Sequence, residues 1–163
     1  ANNQETNRTR NDSRVSERAL REIYLRGFEI CVREAAPRAI MTSYNQINGV
    51  WSHYHHDLAT VILRGEWGYE GVVMTDWWIE EAVDPDFPAL EDNAYRVRAQ
   101  VDVLMPGGVK RDAAPQAYAD TTIVDSLVRE GGLTRGELQR TARNVLGLAI
   151  ALKPVVDART LEG

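Results

Sequence analysis

The chain has 163 residues, 44% of them apolar, with four tryptophans and a net charge of −5 from 24 acidic and 19 basic side chains. That is enough for one globular domain with a core, too short for a closed eight-fold α/β barrel of about 250 residues, and too apolar for a disordered chain. The two charge signs are interspersed without a basic stripe, which excludes nucleic acid as an expected partner, and no run approaches the ~20 apolar residues of a membrane span.

Residues 1–12 are polar and unpatterned and read as a loop. Ser16 is a good N-cap with Glu17 in the first turn, and Leu20, Ile23, Tyr24, Phe28 and Cys31 then recur at helical spacing to about Ala35. Pro37 stops this helix. Cys31 is the lone cysteine, so it cannot form an internal disulfide, and its place in the apolar pattern predicts a small buried hydrophobe. Ala39 to Tyr44 reads as a buried strand, Asn48-Gly49 as a turn, and Asp57 to Trp67 as a helix through Leu58, Val61, Ile62 and Leu63. Gly71 to Thr75 is a short apolar run, as in a strand buried on both faces of a parallel sheet. The acidic stretch 79–89, with Pro85 and Pro88, is a loop. Glu91 to Gln100 suits a helix, and Val101 to Met105 is a third strand stopped by Pro106-Gly107-Gly108. Pro115 to Glu130 is helical and closed by Gly131-Gly132. Thr134-Arg135-Gly136-Glu137 is a capping box opening a last helix, with Leu138, Val145, Leu148 and Ala149 on its apolar side. Residues 154–163 read as a loose tail or the start of a linker.

Three strands alternating with helices define an α/β chain with a parallel sheet and right-handed crossovers. Either an open doubly wound sheet or part of a barrel satisfies that order. Polar residues gather just after the strands: Ser43, Tyr44 and Asn45, then Asp76, Trp77 and Trp78, which suits a site at the C-terminal strand ends. From pattern alone Asp76 is either a reactive carboxylate or the cap of a following helix. His53, His55 and His56 with Asp57 invite a metal reading, but a zinc site needs three or four ligands in closed geometry and nothing else supplies them. A loop at the rim of the site, with one histidine near an aglycone, is the expectation, with no metal. The Pro106-Gly107-Gly108 loop lacks both the dinucleotide and the P-loop signature, so no cofactor is expected.

Six stretches in order resemble family 3 glycoside hydrolases. They are Asn2-Asn3-Gln4-Glu5; Glu17 to Leu25; Met41-Thr42-Ser43-Tyr44-Asn45 with Asn48-Gly49; Leu63 to Tyr69; Gly71 to Trp77; and Asp102 to Gly107. The resemblance implies that residues 1–153 form the C-terminal portion of a (β/α)8 TIM-type barrel, a partial barrel of parallel strands alternating with helices. It implies a retaining, exo-acting enzyme on non-reducing-end β-glucosides or β-xylosides. Retention needs two carboxyl groups about 5 Å apart, one attacking the anomeric carbon and one serving as acid and then base.

By the resemblance Asp76 is the nucleophile, Trp77 walls the sugar site with its indole face, Tyr44 orients the carboxylate, and Met41 lines the glycone pocket. Trp78 is structural or at the rim, and Asp102 supports the barrel. The family has Ser-Asp-Trp where this chain has Thr75-Asp76-Trp77, a minor departure. The family's Lys-His pair is expected just ahead of the segment matching Ala1 to Glu5, so the resemblance implies a fragment; Asn2-Asn3-Gln4-Glu5 stands where the N-acetylglucosaminidase branch has a Gly-His loop, which favours the β-glucosidase or β-xylosidase type. The acid/base residue, the other barrel half and a C-terminal domain are then expected outside this chain, and the isolated chain is expected to be inactive. Such an open segment is expected to self-associate through exposed edges. A non-catalytic carbohydrate-binding or assembly module is the alternative.

Overall fold

The computed structural model describes residues 5–79, 81–105 and 121–161, with side chains described as far as 153. The elements follow the expected alternation. A strand, β1 (Asp12–Ser13), leads into α1 (Glu17–Ala19), a wide π-helical turn at Leu20–Tyr24, and α2 (Arg26–Ala35). Strands β2 (Ala39–Met41), β3 (Gln46–Ile47) and β4 (Val50–Trp51) come next, then a 3₁₀ turn at Ser52–Tyr54 and a π-helical segment at Asp57–Glu66. The rest are β5 (Val72–Trp77), α3 (Asp92–Arg98), β6 (Val103–Met105), α4 (Thr122–Leu127) and α5 (Arg135–Leu161).

Local chemistry accounts for the boundaries. The Ser16 hydroxyl accepts the Ala19 N–H at 3.2 Å and opens the first helix, and Ala36 in the left-handed region (φ 44°) closes it ahead of Pro37. The capping box forms as expected: the Glu137 N–H donates to Thr134 Oγ1 at 3.2 Å while the Thr134 N–H donates to Glu137 Oε2 at 2.7 Å. Asn48 and Gly49, both at positive φ, turn β3 into the antiparallel β4.

The expected strands form one parallel sheet in the order β2–β5–β6. Ala39, Ile40 and Met41 pair with Val72, Val73 and Met74, and Met74 pairs with Val103. One face carries helices: Val73 and Val101 pack with Val32, Leu63 and Tyr69. A second apolar cluster joins Tyr54, Leu90, Ala94, Tyr95 and Leu133. At the N-terminal ends of the strands Asp102 is buried and takes three donors: Arg64 Nη2 at 2.6 Å, the Val73 N–H at 3.0 Å and Asn144 Nδ2 at 2.9 Å. Arg64 also donates to the Gly71 carbonyl at 3.0 Å. The support role read for Asp102 is thus a knot joining two strand starts to two helices. Gly71 is needed here, since a Cβ would sit 2.7 Å from the Arg38 carbonyl oxygen and collide with the Tyr69 ring.

Four expectations are corrected. Residues 1–12 are not all loop, because Asp12 and Ser13 pair in parallel with Gln46 and Ile47, making a small second sheet β1–β3–β4. That pairing joins segments more than thirty residues apart and leaves no local pattern. Cys31 is exposed, not buried, because the helix face bearing Ile23, Phe28 and Ile30 is itself largely uncovered. The last helix runs through position 154 to Leu161, where a loose tail was expected. A proline removes one helical donor, but the long turn-by-turn run on both sides continues the helix. His53 is fully buried in a 3₁₀ turn folded under the second cluster, not in a rim loop. Of the helix expected over 115–130, residues 115–120 lie outside the described residues, as does Pro106-Gly107-Gly108.

Candidate active site at the C-terminal strand ends

Every parallel strand of the main sheet ends on the same side, and the sequence-read residues sit there. Met41 is the last residue of β2 and the register partner of Met74 in β5. Asp76 follows Met74 by two positions, so strand alternation puts Met41, Met74 and Asp76 on one face. It is the face opposite Val73 and Thr75, which are both buried, Val73 against Val32 and Leu63. Met41 is 53% exposed and Asp76 half-buried, so this face is open.

Trp77 is adjacent to Asp76, and in a regular strand the two would point oppositely. The ladder to β6 shifts here: Met74 pairs with Val103 but Trp77 pairs with Met105, three steps of β5 against two of β6. One extra residue is bulged out of β5. Because Val103 and Met105 share a face, their partners Met74 and Trp77 share it too. Asp76 and Trp77 thereby come to the same open side, with Trp77 37% exposed. The Trp77 N–H donates to Asp76 Oδ1 at 2.7 Å, which ties the carboxylate to its own backbone. Trp78 turns into the left-handed region (φ 50°), ends the strand, and donates its N–H to the Met105 carbonyl at 3.3 Å.

The loop after β2 is anchored by a buried polar network. Asn45, fully buried, donates from Nδ2 to Ser13 Oγ at 3.0 Å and to the Gln46 carbonyl at 2.8 Å, and accepts from Ser43 Oγ at 2.7 Å. The Ser52 hydroxyl donates to the Ser43 carbonyl. Tyr44, half-buried between these anchors, has the Arg8 guanidinium 5.0 Å from its ring centroid. Ser43 and Asn45, the polar groups at the strand end, hold the loop carrying Tyr44. Arg8 lies in a segment without periodicity, so no local sequence signal points to it.

The sequence model described as the glycosyl hydrolase family 3 N-terminal domain matches residues 2–148. The chain belongs to this family. Among its relatives, a β-glucosidase of Ruminococcus albus is 48% identical over 151 residues, covering 93% of this chain and 15% of that protein. An exo-α-(1→6)-L-arabinopyranosidase of Bifidobacterium breve is 42% identical over 148 residues, 91% of this chain and 17% of that protein. The crystal structure of a β-glucosidase from Paenibacillus barengoltzii superposes with a TM-score of 0.76 at 47% identity, covering 91% of this chain and 16% of the other. The chain thus spans about a sixth of the length of these relatives. The α/β fold is a partial family 3 barrel, and the family is one of glycoside hydrolases.

Proposed function

We propose that this chain is the C-terminal part of the catalytic barrel of a retaining, exo-acting β-glycosidase, with Asp76 as nucleophile. The observation that carries the reading is a carboxylate on the open face of a buried parallel strand, at its C-terminal end, in a chain of family 3. Asp76 attacks the anomeric carbon and the glycosidic C–O bond breaks, while a general acid protonates the leaving oxygen. Water then takes up the glycosyl group, deprotonated by the same acid/base group, and Asp76 is released. Trp77 offers an indole face to the pyranose, Met41 lines the glycone side, and Tyr44 steers the carboxylate.

The substrates are non-reducing-end β-glucosides, with β-xylosides next; the relatives named β-glucosidase support the first. An arabinopyranoside is the second reading, favoured by the 42% identity to the Bifidobacterium breve enzyme. The acid/base residue, the other barrel half and a further domain come from outside these residues, in keeping with the sixth of its relatives' length that the chain spans. Alone, it is inactive.

The test is covalent trapping of the full-length protein with a 2-fluoro glycoside and peptide mapping. Label on Asp76 supports the assignment, and label on any other residue overturns it. Turnover of an aryl β-glucoside by the 163-residue chain itself checks the second part. An activated leaving group needs little acid help, so robust turnover would show that the chain is complete as a catalyst.

A further inference from the structure

We propose that Thr75 is a positioning residue: its hydroxyl locks the one-residue bulge that puts Asp76 and Trp77 on the same face of the sheet. The inference rests on the reading of Asp76 as nucleophile and goes beyond it, to how the strand aims that carboxylate.

A bulge interrupts the ladder and leaves its extra residue unpaired, so the register there needs a further hold. Here the Met105 N–H of the neighbouring strand donates to Thr75 Oγ1 at 2.8 Å. Thr75 is 0% exposed, so the bond is made away from water. The Met105 carbonyl accepts the Trp78 N–H at 3.3 Å. Both backbone groups of Met105 thus clasp β5, one on each side of the Asp76–Trp77 pair. Slipping the bulge out would return β5 to regular alternation and turn Trp77 away from Asp76.

The side chain that does this must be short, must carry an acceptor oxygen, and must sit in the bulge facing the neighbouring strand. Serine and threonine meet those terms. Valine has threonine's shape and no acceptor. The hydroxyl therefore acts through Asp76 and Trp77 and touches no substrate.

The test uses the full-length protein as wild type, Thr75→Val and Thr75→Ser, and follows inactivation by a 2-fluoro aryl glycoside. Its saturation constant and its first-order rate are read separately. Thr75→Val is expected to lower the first-order rate by about 10²-fold, the cost of an ångström of misplacement, with a much smaller change in the saturation constant. Thr75→Ser is expected to restore the rate. A folded Thr75→Val protein with the wild-type rate overturns the proposal, as does a Ser variant as slow as the Val variant. Should Thr75→Val not fold, hydrogen exchange on the wild-type protein decides: a slowly exchanging Met105 amide supports the lock, and exchange at the rate of an open loop overturns it. Peptide mapping of the wild-type adduct separates the two ideas. Label away from Asp76 removes the nucleophile reading, whereas label on Asp76 with an unaffected Thr75→Val removes only the positioning role.

Discussion

Arg96 donates from Nε to Nδ1 of His53 at 3.1 Å, and both side chains are buried. Accepting at Nδ1 leaves the imidazole proton on Nε2, which has no partner among the described residues. A second proton on this ring would have to face the guanidinium. Burial, and then the Arg96 charge, push the histidine down to about 3. The expected outcome is a His53 ring whose NMR shifts stay constant from pH 8 to pH 5. The sign for stability follows from the lowered value. The unfolded chain takes up a proton near 6.5 and the folded chain does not, so stability falls as the pH drops from about 6.5 toward 3. A His53 titration near 6.5 would contradict this placement.

Glu137 adds a second acid-sensitive contact. Burial disfavours its charge, but Arg98, donating from Nε at 2.8 Å, and the two donors of Thr134 outweigh that and hold the carboxyl at about 2. Its folded value lies below the usual ~4.3, so its contribution is complete above that pH and is lost as the pH falls toward 2. Glu137→Gln is expected to cost about 1–3 kcal/mol at pH 7, measured by denaturant unfolding. The difference from wild type should close between pH 4.3 and pH 2. A cost that persists unchanged at the acid end would mean that the charge is not the cause.

These contacts show which parts of the molecule could be read from the chain. Periodicity and turn chemistry are local, so the three strands, the Ser16 cap, the Asn48-Gly49 turn and the Thr134 box are legible in the sequence. The place of Asp76 at a strand end is legible because a polar residue ending a buried apolar run stands out. The bulge is not legible, because it depends on which residue of β6 faces Trp77. The same holds for the pairing of Asp12 with Gln46 and for Arg96 reaching His53, contacts that exist only once distant segments meet. The exposure of Cys31 is not legible, because a helical apolar stripe states what a face can bury, not what this chain lays against it.

Arg64 and Asp102 provide a direct test of the knot at the strand starts. Asp102→Asn keeps the shape and removes the charge, leaving the Arg64 guanidinium buried without its anion. The expected cost is about 3–5 kcal/mol, with loss of the β5–β6 edge seen as faster amide exchange at Val73 and Asp102. Arg64→Met combined with Asp102→Asn should recover much of that loss, since replacing both partners removes the unpaired charge. A double variant no better than Asp102→Asn alone would show that the hydrogen bonds, rather than the charge, hold this corner.

The open faces bear on how the chain behaves alone. Ile23 is 68% and Phe28 56% exposed, and Leu146 and Ile150 on α5 are exposed as well. Strands β2 and β6 are the outer strands of the three-stranded sheet, and Met41 on β2 is open too. Uncovered apolar stripes next to unpaired strand edges favour association. Sedimentation of the 163-residue chain should show concentration-dependent dimers or larger species. Phe28→Glu removes a side chain whose burial is worth about 1.5–3 kcal/mol, so association should weaken by about tenfold or more. In the full-length protein the same substitution should lower stability instead, because the proposed remainder of the barrel covers that helix. A monomer at high concentration, unchanged by Phe28→Glu, would mean that these faces do not drive association.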